Sequence, residues 1–284
     1  MIESRPSLTA QGAAVHRSAH QIFDEPRVFD DPLAMRIIGA ESSVALKTTP
    51  QHYAAAPGSD LLRAFIAARS RCAEDALGEA VRKGLRQYVI LGAGLDTFAY
   101  RNPHAQSRLR VFEVDHPSTQ SWKRARLEEA GISIPASLTF VPVDFERQTM
   151  ADGLRQATLD HGEPTFFSWL GVTPYLTRDV VDSTLKFIAG LNAGSGVVFD
   201  YVVSPSLLNP QQRSAFDALS NLVAKAGEPW QTFFDPALLA AELKTFGFEK
   251  AIDLGPDEIN ARYFTGRKDT LKVRGFGHIM NAIV

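Results

Sequence analysis

The fold of this chain is decided by the stretch Tyr88-Val-Ile-Leu-Gly92-Ala-Gly94-Leu-Asp96-Thr97, in which an apolar run enters a turn built on two glycines. Short apolar runs bounded by glycine are typical of buried strands in parallel sheets. Glycine has no Cβ, so it tolerates the positive φ of a tight turn and lets another molecule approach the backbone closely. The stretch therefore predicts a buried strand that ends at a ligand-binding turn.

Two later runs repeat this design, but each of them ends in an acid. They are Arg110-Val-Phe-Glu113-Val-Asp115 and Thr139-Phe-Val-Pro-Val-Asp144. In an open parallel sheet, ligands bind outside the carboxyl ends of the strands, near the point where the strand order reverses. An acid at the end of the second strand can accept two hydrogen bonds from a ribose. Asp144 can accept the amino group of an adenine while the amide of Phe145 donates to a ring nitrogen, so the three strand ends predict a nucleoside site.

Two classes of nucleoside ligand fit this pattern, and the residues of the turn distinguish them. A nicotinamide dinucleotide site requires G-x-G-x-x-G, followed by an acid about 20 residues later. Here Thr97 replaces the third glycine, and Asp96 directs a negative charge towards the place of a pyrophosphate. A ligand with a cationic centre and an amino-acid end, such as S-adenosylmethionine, fits better. A nicotinamide-dependent oxidoreductase and a non-catalytic nucleoside-binding protein are the alternatives.

Strand and helix patterns alternate from Gln87 onwards, which is typical of a parallel sheet covered by helices on both faces. Strands are predicted near 87–92, 109–114, 138–143, 164–169 and 196–203, with a hairpin-like closing pair at 248–254 and 262–267. We therefore predict an α/β, Rossmann-like sheet that is mostly parallel with an antiparallel last strand. Residues 1–86 carry no strand pattern and predict a helical N-terminal cap. Residues 87–284 form the predicted binding domain, in which 205–234 is inserted as a lid.

Four ordered motifs resemble those of the leucine carboxyl methyltransferase family. They are LGAGLDTFAYR at 91–101, FEVDHP at 112–117, VPVDFE at 141–146 and PTFFSWLGVTPYLT at 164–177. The resemblance extends from Phe29-Asp-Asp-Pro-Leu-Ala34 to about Phe199. It implies a class I methyltransferase that uses S-adenosyl-L-methionine.

The resemblance also implies a cofactor site, residue by residue. It places the methionine carboxylate on an arginine of the helix before the first strand, which is Arg69 or Arg71 in this chain. Gly92 corresponds to the cofactor-contacting glycine of the family, and Asp115 corresponds to its ribose-binding acid. The adenine-binding pair corresponds to Asp144 and Phe145. The complete predicted cofactor set is Arg69, Arg71, Gly92, Ala93, Gly94, Asp96, Glu113, Asp115, Asp144 and Phe145.

One departure from the family concerns the acceptor. Many members carry a glutamate directly before the glycine of the fourth-strand motif, whereas Leu170 precedes Gly171 here. We therefore transfer the chemistry of the family and not the identity of its acceptor. The strand ends that face the transferred methyl group in this topology predict Tyr175, Asp200 and Tyr201 as acceptor contacts.

Methyl transfer from a sulfonium is an in-line displacement, so the enzyme mainly supplies alignment and a suitable electrostatic environment. It requires no metal, and the sequence assigns no catalytic residue. A carboxylate acceptor, which the resemblance suggests, is ionised near neutral pH and needs no general base. A hydroxyl acceptor would need one, and His52, His104, His116 and Asp200 are then the candidates.

The composition agrees with a soluble, cytoplasmic enzyme. The chain has 284 residues with 30 basic and 32 acidic side chains, a net charge of −2. This balance gives no basis for nucleic-acid binding, which requires a clustered basic face, and Lys123, Arg124 and Arg126 are interpreted as a solvated helix face. One cysteine, Cys72, excludes an intramolecular disulfide. We find no signal-peptide pattern and no membrane span, and the oligomeric state stays open.

Overall fold

The chain before the first strand forms helices, and it contains no strand in the residues that the structure describes. The structure is a computed structural model that describes residues 7–54, 58–144 and 148–284. The helices before the first strand are α1 (Leu8–Phe23), α2 (Ala34–Ile37), α3 (Ala40–Thr48), α4 (Pro50–Ala54) and α5 (Ser59–Arg82). Pro50 opens α4, a position where the missing N–H of proline costs no helical hydrogen bond.

Strands and helices then alternate, as the sequence predicts. The strands are β1 (Gln87–Leu91), β2 (Arg110–Asp115), β3 (Leu138–Pro142), β4 (Thr165–Trp169), β5 (Gly196–Val202), β6 (Lys250–Leu254) and β7 (Gly277–Ile283). The helices among them are α6 (Phe98–Arg101), α7 (Pro117–Glu129), α8 (Met150–Gln156), α9 (Arg178–Ala189), α10 (Pro210–Lys225), α11 (Pro236–Phe246) and α12 (Pro256–Tyr263). The first five strands lie within two residues of their predicted bounds.

The strands form one sheet in the order β3-β2-β1-β4-β5-β7-β6. The first five are mutually parallel, and β7 is antiparallel to both of its neighbours. The chain builds outward from β1 to β3 and then returns to place β4 on the other side of β1. The strand order therefore reverses at β1, and the crevice beside its carboxyl end is where sheets of this class bind ligands.

Successive residues of β1 point to opposite faces of the sheet, and each face carries its own apolar core. Tyr88 and Ile90 belong to one core, whereas Val89 and Leu91 belong to the other. The helix residues that complete the first core include Ala64, Ala67, Ala68 and Leu77 of α5. Those that complete the second include Val181, Leu185 and Ile188 of α9. This arrangement confirms the predicted α/β sheet with helices on both faces.

The predicted closing pair of strands is wrong in its second member. Residues 262–267, predicted as the last strand, begin inside α12, and the last strand is β7. α12 has Pro256 at its first position and Asp257 and Glu258 in its first turn, which are the residues that favour a helix start. β7 pairs antiparallel with β6 but is inserted between β5 and β6, so the two strands do not form a simple hairpin.

The segment after α10 is fixed against the carboxyl ends of β4 and β5. Gln231 donates its backbone N–H to the Pro174 carbonyl at 2.6 Å, and Phe234 donates to Val202 at 3.0 Å. Asp235 then caps α11 by accepting hydrogen bonds from the amides of the first turn, and Pro236 occupies the first helical position. The chain from 227 to 231 is thereby held over the sheet edge where the ligand site is expected. No helix in the described residues has the length and apolar content needed to cross a membrane.

Candidate functional site

A cavity of about 770 Å³ lies at the carboxyl ends of β1, β2 and β4, where the strand order reverses. The turn after β1 lines this cavity, together with residues from α1 and from the 227–231 segment. Predicted site residues among those that line it are Arg69, Gly92, Ala93, Gly94, Asp96, Asp115, Asp144 and Tyr175. The structure thus brings most of the predicted cofactor residues into one space.

The glycine turn is tied to the end of the neighbouring strand. Gly92 and Ala93 both donate their backbone N–H groups to the Val114 carbonyl, at 2.8 and 3.2 Å. Gly92 has a φ of +64°, and a Cβ built on it would lie 2.3 Å from Cγ2 of Val172. A larger residue at position 92 would therefore be strained in its backbone and would also collide with the cavity wall.

Asp115 is the acid most directly bound to that turn. Its Oδ2 accepts the Gly94 N–H at 2.6 Å, and its Oδ1 accepts the N–H of His116 at 2.7 Å. Burial raises the pKa of the Asp115 carboxyl above its ordinary value, whereas these two amides act to lower it. Each carboxylate oxygen has a second lone pair, so Asp115 can hold the turn and still accept hydroxyl donors from a ligand.

The third strand end also reaches the cavity. Asp144 lies two residues after the end of β3 and lines the cavity, and its carbonyl accepts a hydrogen bond from the N–H of Gln148 at 2.9 Å. Phe145, predicted as its partner in binding a base, lies outside the described residues. Asp96 lines the cavity from the turn after β1, and its Oδ1 accepts the Phe98 N–H at 2.8 Å.

The structure separates the two candidate arginines of α5. Arg69 lines the cavity, and its Nη1 lies 2.7 Å from Oδ2 of Asp200. Arg71 points away from the cavity and pairs with Asp75 at 2.8 Å, with 49% of its side chain exposed. Of the two, Arg69 is thus the residue that can bind the acidic end of a ligand in this cavity.

Glu113 is buried inside the protein and is not among the described residues that line the cavity. Its Oε2 lies 2.7 Å from Nζ of Lys123, and the two side chains are 0% and 1% exposed. The interpretation of Lys123 as part of a solvated helix face is therefore wrong. The alternation of β2 explains this placement, because Glu113 and Asp115 share one face of the strand but only Asp115 stands at its end.

The three predicted acceptor contacts lie in different environments. Tyr175 lines the cavity, and burial raises the pKa of its hydroxyl, so it acts there as a neutral donor. Asp200 is buried and paired with Arg69. Tyr201 is 1% exposed and belongs to the core that contains Val89 and Leu91. Its hydroxyl donates a hydrogen bond to Asp253 at 2.7 Å.

Sequence reasoning missed the contribution of α1, whereas the cavity-lining segment after α10 lies within the stretch 205–234 that was predicted as a lid. The α1 residues that line the cavity include Thr9, Ala10, Ala13 and Arg17. The Thr9 N–H donates to Glu228 at 3.1 Å, which joins the two segments across the cavity. No pattern in the sequence indicates this contribution, because small residues at helical spacing occur equally on faces that pack inside a protein, as Ala14 does here.

Comparison with known proteins identifies the family. Residues 10–189 match the family model described as leucine carboxyl methyltransferase. A Bacillus subtilis (strain 168) protein, which carries the provisional name S-adenosyl-L-methionine-dependent methyltransferase YktD, is 32% identical over 306 aligned positions. That alignment covers 100% of this chain and 99% of the relative. A Mycobacterium avium (strain 104) protein with the same provisional activity is 30% identical over 76% of this chain and 72% of its own length.

A solved structure supports the fold independently. A Thermobifida fusca YX protein, provisionally described as a methyltransferase, superposes with a TM-score of 0.55 at 20% identity. The superposition covers 92% of this chain and 98% of that one. At this identity the likeness shows a common fold, and the sequence matches above show the kinship. The chain belongs to the leucine carboxyl methyltransferase family.

Proposed function

We propose that this methyltransferase, whose methyl donor is S-adenosyl-L-methionine, methylates a carboxylate oxygen of a small molecule. The observation that carries the proposal is the composition of the cavity wall. Among the described residues that line the cavity, the one histidine is His116, and its Nδ1 is engaged with Ser118 at 2.7 Å. A carboxylate acceptor is already ionised near neutral pH and needs no such base.

The part of the cavity proposed to bind the methyl donor suits a nucleoside with an amino-acid tail. In our proposal Asp115 accepts the ribose hydroxyls, Asp144 accepts the adenine amino group, and Arg69 binds the methionine carboxylate. Gly92 lets the cofactor approach the backbone closely. A Cβ at this position would collide with Val172 even without a ligand. When bound, the cofactor supplies an electrophilic methyl group on a sulfonium. A nicotinamide dinucleotide is not favoured, since the chain belongs to a methyltransferase family.

The part of the cavity proposed to bind the methyl acceptor lies between α1 and the 227–231 segment. Thr9 and Tyr175 line this region and offer hydroxyl groups, while Ala10 and Ala13 leave room for a ligand. Glu228 accepts the Thr9 N–H and ties the two walls together. Residues on both sides can therefore align an acceptor and keep bulk water away, which is what an in-line displacement needs.

The proposed step balances without any further reactant. A carboxylate oxygen forms the new bond to the methyl carbon, the bond from that carbon to sulfur breaks, and its electron pair stays on sulfur. The products are a methyl ester and S-adenosylhomocysteine. No proton needs to leave the acceptor, so the reaction does not require a general base from the protein.

The test is a screen of small carboxylic acids and of the matching primary alcohols with methyl-labelled S-adenosyl-L-methionine. We expect label transfer to acids, and alkali should release it as methanol because esters hydrolyse and ethers do not. The rate should stay level from about pH 6 to pH 9, since the acceptor is ionised throughout. The Gly92→Val variant serves as the control, in which transfer should be lost.

An alkali-stable product, or a rate that rises with pH as a hydroxyl acceptor ionises, would contradict carboxyl methylation. Such a result would leave the donor site intact and would redirect the assignment to a hydroxyl acceptor. Absence of S-adenosylhomocysteine binding by the unaltered protein would instead contradict the proposed donor site.

A further inference from the structure

Both carboxylate oxygens of Asp200 are engaged where β5 ends. The residue is 4% exposed, its Oδ1 accepts the backbone N–H of Gly171 at 2.5 Å, and its Oδ2 pairs with Nη1 of Arg69 at 2.7 Å. Its own carbonyl accepts the hydroxyl of Thr173 at 2.6 Å. One side chain of β5 thus connects the turn after β4 to a cavity-lining arginine of α5.

Gly171 leaves the space that the Arg69 guanidinium occupies. It has a φ of +73°, and a Cβ built on it would lie 2.7 Å from Nη2 and 3.0 Å from Nη1 of Arg69. The guanidinium therefore lies against the bare Cα of the glycine, at a distance that any side chain would prevent. The ring of Phe65 lies 6.0 Å from the same guanidinium carbon, so the group is confined on more than one side.

We propose that Asp200 is a positioning residue that holds the Arg69 guanidinium in place for the carboxylate at the amino-acid end of the cofactor. This inference rests on the proposed function, in which Arg69 binds that carboxylate. An arginine has five N–H donors in a planar fork, and the pair with Asp200 uses one nitrogen, Nη1. The other N–H donors of the guanidinium stay available for the cofactor carboxylate, so in this proposal Asp200 acts through Arg69.

Two physical effects of Asp200 oppose each other. Its negative charge repels an incoming carboxylate, which would make the Asp200→Asn variant bind the cofactor more tightly. Its hydrogen bonds fix a long flexible side chain before the ligand arrives, which makes the same variant bind more weakly. We expect the loss of positioning to dominate, because Asp200 uses one oxygen for Arg69 and the other for Gly171, and asparagine can serve only one of them.

The experiment compares two ligands that differ only in the amino-acid end. S-adenosylhomocysteine carries the carboxylate, and 5′-methylthioadenosine lacks the whole tail. Calorimetric titration of both ligands gives the ratio of S-adenosylhomocysteine affinity to 5′-methylthioadenosine affinity, which reports all contacts of the amino-acid tail. The change of this ratio in Arg69→Met gives the part that is due to the arginine. Asparagine at position 200 has the shape of aspartate but replaces one acceptor oxygen by an NH₂ group, so it cannot serve both Gly171 and Arg69.

For Asp200→Asn we expect S-adenosylhomocysteine affinity to fall by roughly tenfold or more, and 5′-methylthioadenosine affinity to change by less than about twofold. Gly171→Ala should reproduce this loss by displacing Arg69 while Asp200 stays in place. Arg69→Met should show the full effect of removing the contact. The matched control is Asp253→Asn on β6, which β7 separates from β5, and there the carboxylate pairs with Tyr201 and His278 instead.

An unchanged or increased affinity ratio in Asp200→Asn, together with a reduced ratio in Arg69→Met, would overturn the positioning role and leave the proposed function standing. An equal loss for both ligands would also overturn it, since that pattern indicates a general structural defect. An unchanged ratio in Arg69→Met would instead show that the proposed arginine contact is wrong.

Discussion

Glu113 and Lys123 form an ion pair in the interior, away from the ligand cavity. Two contacts of Tyr100 complete their environment: its hydroxyl lies 3.3 Å from Oε2 of Glu113, and its ring lies 5.4 Å from Nζ of Lys123. Burial raises the pKa of the Glu113 carboxyl to about 7, although Lys123 acts in the opposite direction. The folded protein therefore holds the Glu113 proton more tightly than the unfolded chain does.

This raised pKa predicts a pH-dependent contribution of Glu113 to stability. The contribution is complete below the unfolded value of 4.5 and is lost as the pH rises through about 7. Relative to Glu113→Gln, the unaltered protein should lose on the order of 1–3 kcal/mol in its free energy of unfolding over that window. Urea unfolding of both proteins at several pH values measures the difference. Glu129→Gln, at a largely exposed position of α7, is the control, and a similar pH dependence there would contradict the assignment.

Asp144 allows a direct test of the adenine end of the proposed site. Asp144→Ala should weaken S-adenosylhomocysteine binding by about 1–3 kcal/mol, because hydrogen bonds in a buried pocket are lost. The free energy of unfolding should change little, since Asp144 follows β3 at the edge of the cavity. Calorimetric titration and urea unfolding check the two parts. Normal affinity in this variant would show that the adenine lies elsewhere.

At the scale of elements, Asp31 joins the N-terminal helices to the glycine turn. Its side chain is 0% exposed and lies 2.7 Å from Nε of Arg17 and 3.4 Å from Nε of Arg101. It also accepts the hydroxyl of Thr97, at the end of the turn, at 2.7 Å. Arg17 in turn donates to the Leu95 carbonyl at 2.6 Å. One carboxylate thus fixes α1 and α6 around the segment that lines the cavity.

We expect Asp31→Ala to destabilise the protein by about 3–5 kcal/mol, because it leaves the buried guanidinium of Arg17 without its carboxylate partner, whereas Arg101 keeps its pair with Glu74. S-adenosylhomocysteine affinity should fall as well, since the turn from Gly92 to Thr97 loses its anchor. The neighbouring Asp30 offers a matched control, because its side chain is 69% exposed in a surface pair with Arg27. Asp30→Ala should change the free energy of unfolding by less than about 0.5 kcal/mol. Equal effects of the two substitutions would contradict the role of Asp31.

The strands that carry chemistry could be predicted from the sequence because each combines an apolar run with a nearby turn signal. The error at 262–267 has a local cause, since Pro256 and the two acids after it are helix-start signals that outweigh the short apolar run Tyr263-Phe264. The insertion of β7 between β5 and β6 has no local signal at all. It depends on pairing between Gly196 and Ile283, residues that are distant in the chain.

At the scale of the whole molecule, the site also has parts with a local sequence signal and parts that depend on residues distant in the chain. The turn at Gly92 and the acids Asp115 and Asp144 are visible in the sequence because each belongs to the end of its own strand. The partners of these residues are not visible, because they come from remote segments. Glu228 meets Thr9 across 219 positions, and Asp200 meets Arg69 across 131. Such pairs follow from tertiary packing, which a pattern read along the chain does not contain.

The predicted boundary at residue 86 can be tested by truncation, because the helices before it and the sheet after it share one core. The α5 residues Ala64 and Leu77 are fully buried in the core that contains Tyr88, Ile90 and Phe166 of the sheet. Without residues 1–86, that face of the sheet would be exposed to water. Exposure of one large apolar side chain costs about 1.5–3 kcal/mol, and a domain is stable by only about 5–15 kcal/mol in total.

We therefore expect residues 87–284, expressed alone, to lack a cooperative urea transition and to bind no S-adenosylhomocysteine. The cause is the loss of the α5 layer from the core, and the loss of Arg69 from the cavity adds to the binding defect. Circular dichroism during urea unfolding, with the full chain as the reference, measures the transition. Addition of residues 1–86 as a separate chain should restore it if the two parts form one folding unit. A cooperative transition of 87–284 alone would instead show that the sheet is stable without the N-terminal helices. Failure of that fragment to bind S-adenosylhomocysteine would then be due to the missing cavity wall.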